Sequence, residues 1–320
     1  SQAHATPRPA ALSPARRDFW RGVWRVADPK ITLASVAAML LGGAMAAHAG
    51  SIHWGWLLLT VVGIFAIEAA KNASGEIFDW DSGADQAVAE EDRSPFSGGK
   101  RVLVDHLMSR RQTAAVAAVF YVLGGAAGVA IALYREPAVL WLGLAGASLA
   151  FFYHAPPFKL SYRGLGELAV ALAYGPIIAC GTYLVQRHRI DADVLLASLP
   201  LGLLIAGFLW ICEFPDRRAD ASAGKRTLVV RLGARRAARG FAALVVAAFL
   251  GLALLPLAGL PLGVLGGLAG LPVALAAAVR LGRFPETTER IVPAQAWTLL
   301  SFLILSAGLA AGLGLGALLG

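Results

Sequence analysis

The sequence predicts an all-α, polytopic membrane helix bundle of about nine transmembrane helices, built as two pseudo-repeated halves. Three observations carry this expectation. Hydrophobic residues make up 58% of the 320 and charged residues only 15%, with a mean hydropathy of +0.66. A soluble domain cannot hide that much apolar surface, whereas lipid-facing helices can leave it exposed. Apolar runs recur at 31–49, 53–78, 112–133, 137–153, 165–186, 192–212, 237–256, 259–279 and 292–318, most of them near the ~20 residues a bilayer core requires. Finally, "GGKRVLVDHLMSRR" at 98–111 and "AGKRTLVVRLGARR" at 223–236 read as one phrase written twice. Counted from Gly99 and Gly224, the same residue recurs at 8 of 13 positions.

The first thirty residues form a separate N-terminal segment ahead of a single transmembrane domain at 31–320. They carry Arg8, Arg16, Arg17, Arg21, Arg25 and Lys30, and "RRDFWRGVWRVADPK" reads as an amphipathic interfacial lead-in with Trp20 and Trp24 at headgroup level. A cleaved signal peptide is not expected, because the first apolar run is too long and no A-x-A exit follows it. Alternation of the runs puts the N-terminus, 79–111, 154–164, 213–236 and 280–291 on one side. Counting Arg239 at the start of the next run, that side holds 24 of the 28 Lys and Arg; the other holds Arg135, Arg187 and Arg189, and Lys71 lies within a run. Positive residues gather in the cytoplasm, so the N-terminus and both repeated loops are expected there, in a bacterial plasma (inner) membrane on the evidence of Ala- and Arg-rich usage. The net charge of +8 flanks membrane helices, which points to membrane lipid and an anionic substrate rather than to nucleic acid. Cys180 and Cys212 sit in apolar runs and are too few for a disulfide framework; they read as packing residues.

Each repeated loop follows a cluster of acid. Ahead of the first, within 72–111, "IEAAKNASGEIFDWDSGAD" places Glu68, Asn72, Glu76 (or Gly75) and Asp79 on one helical face, with Asp81 and Asp85 beyond the helix end. Ahead of the second, within 213–236, "LWICEFPDRRAD" spaces Glu213, Asp216 and Asp220 by three and four. A lone carboxylate at a membrane helix end marks only where the helix leaves lipid. Here two clusters face the same side, and Glu68, Lys71 and Asn72 lie up to three turns inside their run, where polar groups are expensive and usually functional.

Carboxylates brought together from two helices suit a hard divalent ion such as Mg²⁺, which uses one or two of them and completes its shell with water and substrate phosphate. Arg93, Lys100, Arg101, Lys225 and Arg226 stand ready to clamp phosphate oxygens. A diphosphate held at the mouth of an apolar bundle implies a lipid tail in the groove beneath, as in an isoprenyl diphosphate. Metal and cations would stabilise the departing pyrophosphate, leaving an allylic cation in a dry, aromatic-lined cavity.

At this point the chain resembles the UbiA superfamily of intramembrane prenyltransferases, most nearly the branch that prenylates 1,4-dihydroxy-2-naphthoate for menaquinone. "DRRADASAGKRTLVVRLG" is the most specific match, "FDWDSGAD" is similar to that branch's first aspartate motif, and "YHAPPFKLSYRGLGEL" at 153–168 is similar to its helix 4–5 linker. The resemblance implies a UbiA-like bundle binding Mg²⁺–diphosphate between two aspartate motifs. Asp79 and Asp85 then fall in the first motif, Asp216 and Asp220 in the second, and Lys100, Arg101, Lys225 and Arg226 in the phosphate-binding stretches. Gly75 and Cys212 stand where the family usually has Asn, so Asn72 or Glu76 on one helix and Glu213 on the other are expected to supply the missing oxygens.

The residues therefore expected in catalysis are Asp79, Asp216, Lys159 and Tyr153. Those expected to hold substrate are Asn72, Arg93, Lys100, Arg101, Lys225 and Arg226, and those expected to hold metal are Glu76, Asp79, Asp85, Glu213, Asp216 and Asp220. The linker stays open between a proline-stiffened turn at Pro156-Pro157 and a functional loop in which Lys159 faces diphosphate and Tyr153 or Tyr162 faces the cation or acceptor. Glu68 and Lys71 read equally as an i,i+3 pair. His106 and His154 read as interfacial residues with no partner at zinc-ligand spacing, and "LPLGVLGGLAGLP" and "GLAAGLGLGALLG" as close-packing helix faces. The expected reaction is Mg²⁺-dependent transfer of a prenyl group from a prenyl diphosphate to an electron-rich, quinone-precursor-like aromatic. A cyclase without an aromatic acceptor and a non-enzymatic transporter are the alternatives. The transporter predicts charge at the bilayer centre and broken helices in matching positions, whereas the acid here gathers at the cytoplasmic ends.

Overall fold

Apolar runs of this length have one economical solution in lipid, the helix, because it satisfies every backbone group internally. The computed structural model, which describes residues 12–319, follows that rule and contains no strand among them. Arg8 lies outside the described residues. An interfacial helix α1 (Pro14–Ala27) leads into α2 (Pro29–Ala49), α3 (Trp54–Ser82), α4 (Arg110–Tyr134) and α5 (Val139–Phe152). These are followed by α6 (Gly166–Arg187), α7 (Ala192–Ser222), α8 (Ala234–Ala258), α9 (Leu262–Arg283) and α10 (Thr288–Leu319). Eight segments are long and apolar enough to cross a membrane, and α5 is a shorter apolar helix of 14 residues. The chain is an integral, multi-pass membrane protein.

The nine expected runs match nine helical segments, with three instructive differences. First, α3 and α7 continue past the ends of their apolar runs, to Ser82 and Ser222, so both acidic clusters, Asp81 included, ride on helix rather than on loop, except Asp85 just beyond Gly83. Gly83, at φ +83°, ends α3 in the left-handed conformation that glycine adopts without a Cβ penalty. Second, α6 carries a π turn over Ala173–Ile177 around Pro176, which lacks the N–H for a regular ladder. Third, the segment Leu262–Gly270 of α9 is wound as 3₁₀ helix. There the glycines pack backbone against backbone: a Cβ on Gly266 would come within 2.1 Å of the Gly308 carbonyl oxygen of α10, the close approach small residues permit.

The core lies among α2, α6, α7, α8 and α10, around Leu41, Tyr183, Leu204, Phe241 and Phe302. A smaller cluster seats α1 over the first repeated loop through Val26, Val102, Leu107 and Met108. Trp20 and Trp24 on α1 remain 58% and 67% exposed, the disposition expected of interfacial anchors. Segment 83–109 then crosses to the other half. Ser97 Oγ donates to the Cys212 carbonyl (2.6 Å), Thr288 Oγ1 donates to Asp92 (3.0 Å), and Arg218 pairs with Asp92 (2.8 Å). These bonds hold the loop end of α3 against that of α7.

Candidate active site

At the loop end of the bundle a cavity of about 490 Å³ opens between α3, α4, α5, α6 and α7, within the size range of small-ligand sites. Glu68, Asn72, Gly75, Glu76 and Asp79 line it from α3, and Glu213, Asp216 and Asp220 from α7. Lys100, Lys225, Tyr153, His154 and Tyr174 complete its polar wall. Deeper down the lining turns apolar, with Ile64, Ile67, Gly125, Gly128, Val129, Leu140 and Gly143. Phe96 and Phe208, an edge-to-face pair with ring centroids 6.1 Å apart, face it from the other side.

The two repeated loops enter this site in different ways. In the first, the backbone does the binding. Gly98 N–H donates to Asp216 Oδ2 (2.9 Å), and both Glu76 oxygens are taken by the N–H groups of Lys100 and Val102. Gly99, at φ +73°, lies so close to the Asp85 carboxylate that a Cβ would come within 2.6 Å of it. The Lys100 ammonium turns instead to Asp28, between α1 and α2. In the second loop the side chain enters: Lys225 Nζ lies 3.3 and 3.5 Å from the Asp79 oxygens and 5.4 Å from the Tyr162 ring centroid. Burial alone would weaken the Lys225 ammonium, but Asp79 and Asp220 outweigh it and hold it well above the usual lysine range. For Asp85, burial followed by the charges of Asp79 and Glu76 pushes the carboxyl well above the usual carboxylate range.

Asp79 is the most heavily engaged acid. Tyr162 Oη donates to its Oδ1 (2.7 Å) and also contacts Ser82 Oγ (2.6 Å), while His154 Nε2 stands 3.5 Å from Oδ2. Burial pushes the His154 imidazole down to about 4 against the pull of Asp79, so it is neutral near pH 7. Deeper in the cavity, Lys71 Nζ lies 3.6 Å from Glu68 and 3.0 Å from Tyr174 Oη, which itself donates to Glu68. The i,i+3 pair is therefore real, and it also faces the cavity.

Several of the expected residues stand off the cavity lining or are engaged elsewhere. Arg93 and Arg226 are exposed, and neither lines the cavity. Arg101 points to Asp105 (3.4 Å) and away from it. Lys159 lies over the outer face of Tyr162, 4.9 Å from the ring centroid, and does not reach the lining. The physical reason is local: Arg101 and Lys159 both adopt left-handed backbone, φ +56° and +41°, which turns their side chains out of the loop. Asn72 lines the cavity, but its amide is already spent on the Val26 carbonyl (2.8 Å), tying α1 to α3. Tyr162 and His154 instead reach Asp79, a contact that no spacing along the chain marks.

The donor set fits a hard divalent cation. Asp85 Oδ2, Glu213 Oε2 and Asp216 Oδ1 are buried without a hydrogen-bond partner, a costly arrangement that a cation relieves. Among the described residues no three His, Cys, Asp or Glu side chains are close enough to hold an ion by themselves. Such a set suits Mg²⁺, which draws the rest of its shell from water and phosphate.

Comparison with known proteins agrees with this architecture. Over 294 residues the chain is 30% identical to a 1,4-dihydroxy-2-naphthoate octaprenyltransferase of Mycobacterium tuberculosis, covering 91% of this chain and 96% of the relative. It is 28% identical over 249 residues to a 2-carboxy-1,4-naphthoquinone phytyltransferase of Synechocystis sp., covering 77% and 76%. The fold is similar to that of a UbiA homolog from Aeropyrum pernix K1, with a TM-score of 0.65 and 18% identity over 93% of this chain and 98% of that one. A UbiA homolog from Archaeoglobus fulgidus bound to GPP and Mg²⁺ superposes with a TM-score of 0.63 and 16% identity, over 92% and 99%. Residues 35–303 match the model of the UbiA prenyltransferase family, and the chain belongs to that family.

Proposed function

We propose that the protein transfers an isoprenyl group from a prenyl diphosphate to an electron-rich, naphthoate-like aromatic acceptor in a Mg²⁺-dependent reaction. The observation that carries this reading is the common cavity: Asp79 of α3 and Asp216 of α7 line one wall-to-wall polar mouth above an apolar groove. The naphthoate-directed names of the relatives support the acceptor class.

In this reading one or two carboxylates drawn from Asp79, Asp85, Asp216, Asp220 and Glu213 would hold each Mg²⁺, with water and diphosphate supplying the rest, and Glu76 shapes the first loop beside them. Bound Mg²⁺ supplies charge neutralisation for the leaving diphosphate. Lys225 meets the diphosphate oxygens, and Lys100 closes the mouth against α1. The C1–O bond breaks and its electron pair leaves with pyrophosphate. The allylic cation is held in the dry groove beside Tyr153, Tyr174 and Phe208, and an acceptor ring carbon adds to C1. The ring proton then departs to pyrophosphate or water. The repeated loops face the cytoplasm of a bacterial inner membrane, where soluble diphosphates form.

The test uses purified protein in detergent with an allylic diphosphate series and phenolic or naphthoic acceptors, with and without Mg²⁺. Prenylated acceptor and pyrophosphate should appear together, and should be lost in Asp79→Asn and Asp216→Asn. Release without an acceptor, giving a hydrocarbon or alcohol, would instead indicate a cyclase. No release with any chain length or acceptor would refute an enzymatic role.

A further inference from the structure

Gly75 sits mid-helix on α3, one turn before Asp79, where glycine weakens a helix and so calls for a packing reason. A Cβ there would come within 2.6 Å of His154 Cε1 and Nδ1 and 3.1 Å of Nε2. The imidazole therefore occupies the volume that any side chain at 75 would need. Residues 75 and 79 share a helix face, so a polar side chain at 75 would itself reach toward the Asp79 carboxylate. Here that place is filled from the turn after α5. His154 Nε2 is 3.5 Å from Asp79 Oδ2, the His154 side chain is only 13% exposed, and Nδ1 is buried without a partner. Tyr162 binds the other oxygen, Oδ1, at 2.7 Å, so each carboxylate oxygen has a neighbour from the 153–162 turn.

We propose that His154 is a positioning residue: seated in the gap left by Gly75, it fixes the Asp79 carboxylate for binding of the divalent ion and diphosphate. The ligand half of this proposal rests on the prenyl-transfer reading; the exchange of Gly75 for an imidazole rests on packing alone. Asp79 carries the ligand, and His154 acts through it.

The experiment measures Mg²⁺-dependent binding of a non-hydrolysable probe, geranyl S-thiolodiphosphate, by calorimetry in detergent, together with ligand-free melting temperatures. His154→Ala should weaken probe binding by about tenfold or more, as loss of an outer partner does at metal sites, with little change in melting. Gly75→Ala should weaken binding similarly and also lower the melting temperature, because its methyl collides with the ring. In the Gly75→Ala/His154→Ala double variant the lost melting temperature should return. Gly75→Asn/His154→Ala, which supplies an amide at i,i+4 to Asp79 in the vacated space, should recover most of the binding that His154→Ala lost. Unchanged binding in His154→Ala, additive melting shifts, or a double Asn/Ala variant no better than His154→Ala would each overturn the proposal. If the unsubstituted protein binds the probe with no divalent ion, the prenyl-transfer reading falls, while the melting cycle still decides the Gly75–His154 exchange.

Discussion

Replacing Lys225 with Met removes the one ammonium that reaches Asp79 while keeping the length of the apolar stem. The two side chains are 14% and 10% exposed, and their closest approach is 3.3 Å. At an effective dielectric of about 20, unit charges at that distance attract by about 5 kcal/mol. Burial cost offsets part of this in the intact pair, but removing one partner strands the other, and such losses run to about 3–5 kcal/mol. Proton uptake by the stranded acids relieves some of the cost, so a ligand-free destabilisation of about 3 kcal/mol is expected. Turnover should fall by about 10²–10³, the usual effect of deleting a preorganised charge contact at developing negative charge. Pyrophosphate release at saturating donor measures the second quantity, and thermal unfolding in detergent the first. In a cycle with Asp79→Asn the two losses should not add, because each variant removes the same pair. Turnover within a few-fold of the unsubstituted protein, with additive stability losses, would refute the assignment of Lys225 to the diphosphate edge.

Three further outcomes follow from the same geometry. Tyr162→Phe keeps the ring under Lys225 and Lys159 but deletes the hydrogen bonds to Asp79 and Ser82; a bond to a charged group is worth about 1.5–3 kcal/mol, so kcat should drop by about tenfold or more while the melting temperature moves little. Gly128→Phe projects a ring into the apolar groove, where a Cβ at 128 meets nothing within 4 Å; kcat/KM for long-chain donors should fall by about tenfold relative to geranyl diphosphate, and equal losses for all chain lengths would place the tail elsewhere. The Asp85 carboxyl is raised by burial, so in the ligand-free protein its contribution to stability is full at low pH and is lost as pH rises through that raised value. Mg²⁺ needs the carboxylate, so Mg²⁺-dependent probe binding should tighten as pH rises above the usual carboxylate range, and Asp85→Asn should flatten that dependence.

The legible part of the site was what a one-dimensional period encodes. Glu68, Asn72, Glu76 and Asp79 share a helical face whatever surrounds them, and all four line the cavity. Glu213, Asp216 and Asp220 do so too, because α7 runs on through Pro215 rather than stopping at its apolar end. The basic loops were less legible for a physical reason. Repetition of Gly-Lys-Arg suggested two equivalent cationic edges, yet loop backbone decides which way a side chain leaves. One loop presents N–H groups to Asp216 and Glu76 and sends Lys100 to Asp28, whereas the other sends Lys225 inward.

His154 read as interfacial and Tyr162 as facing the cation or acceptor, because nothing in local spacing ties either to Asp79; that relation exists only across a turn that had to fold first. Reading along the chain was enough to identify a membrane bundle, to place its nine apolar runs, and to see that acid and base gather at one end. Hydropathy and helical period act within a single segment and need no partner. Which carboxylates meet, which cation they meet, and what fills the space beside Gly75 emerge once the helices are packed. Those answers depend on distances between residues far apart in the chain, and packing alone sets such distances.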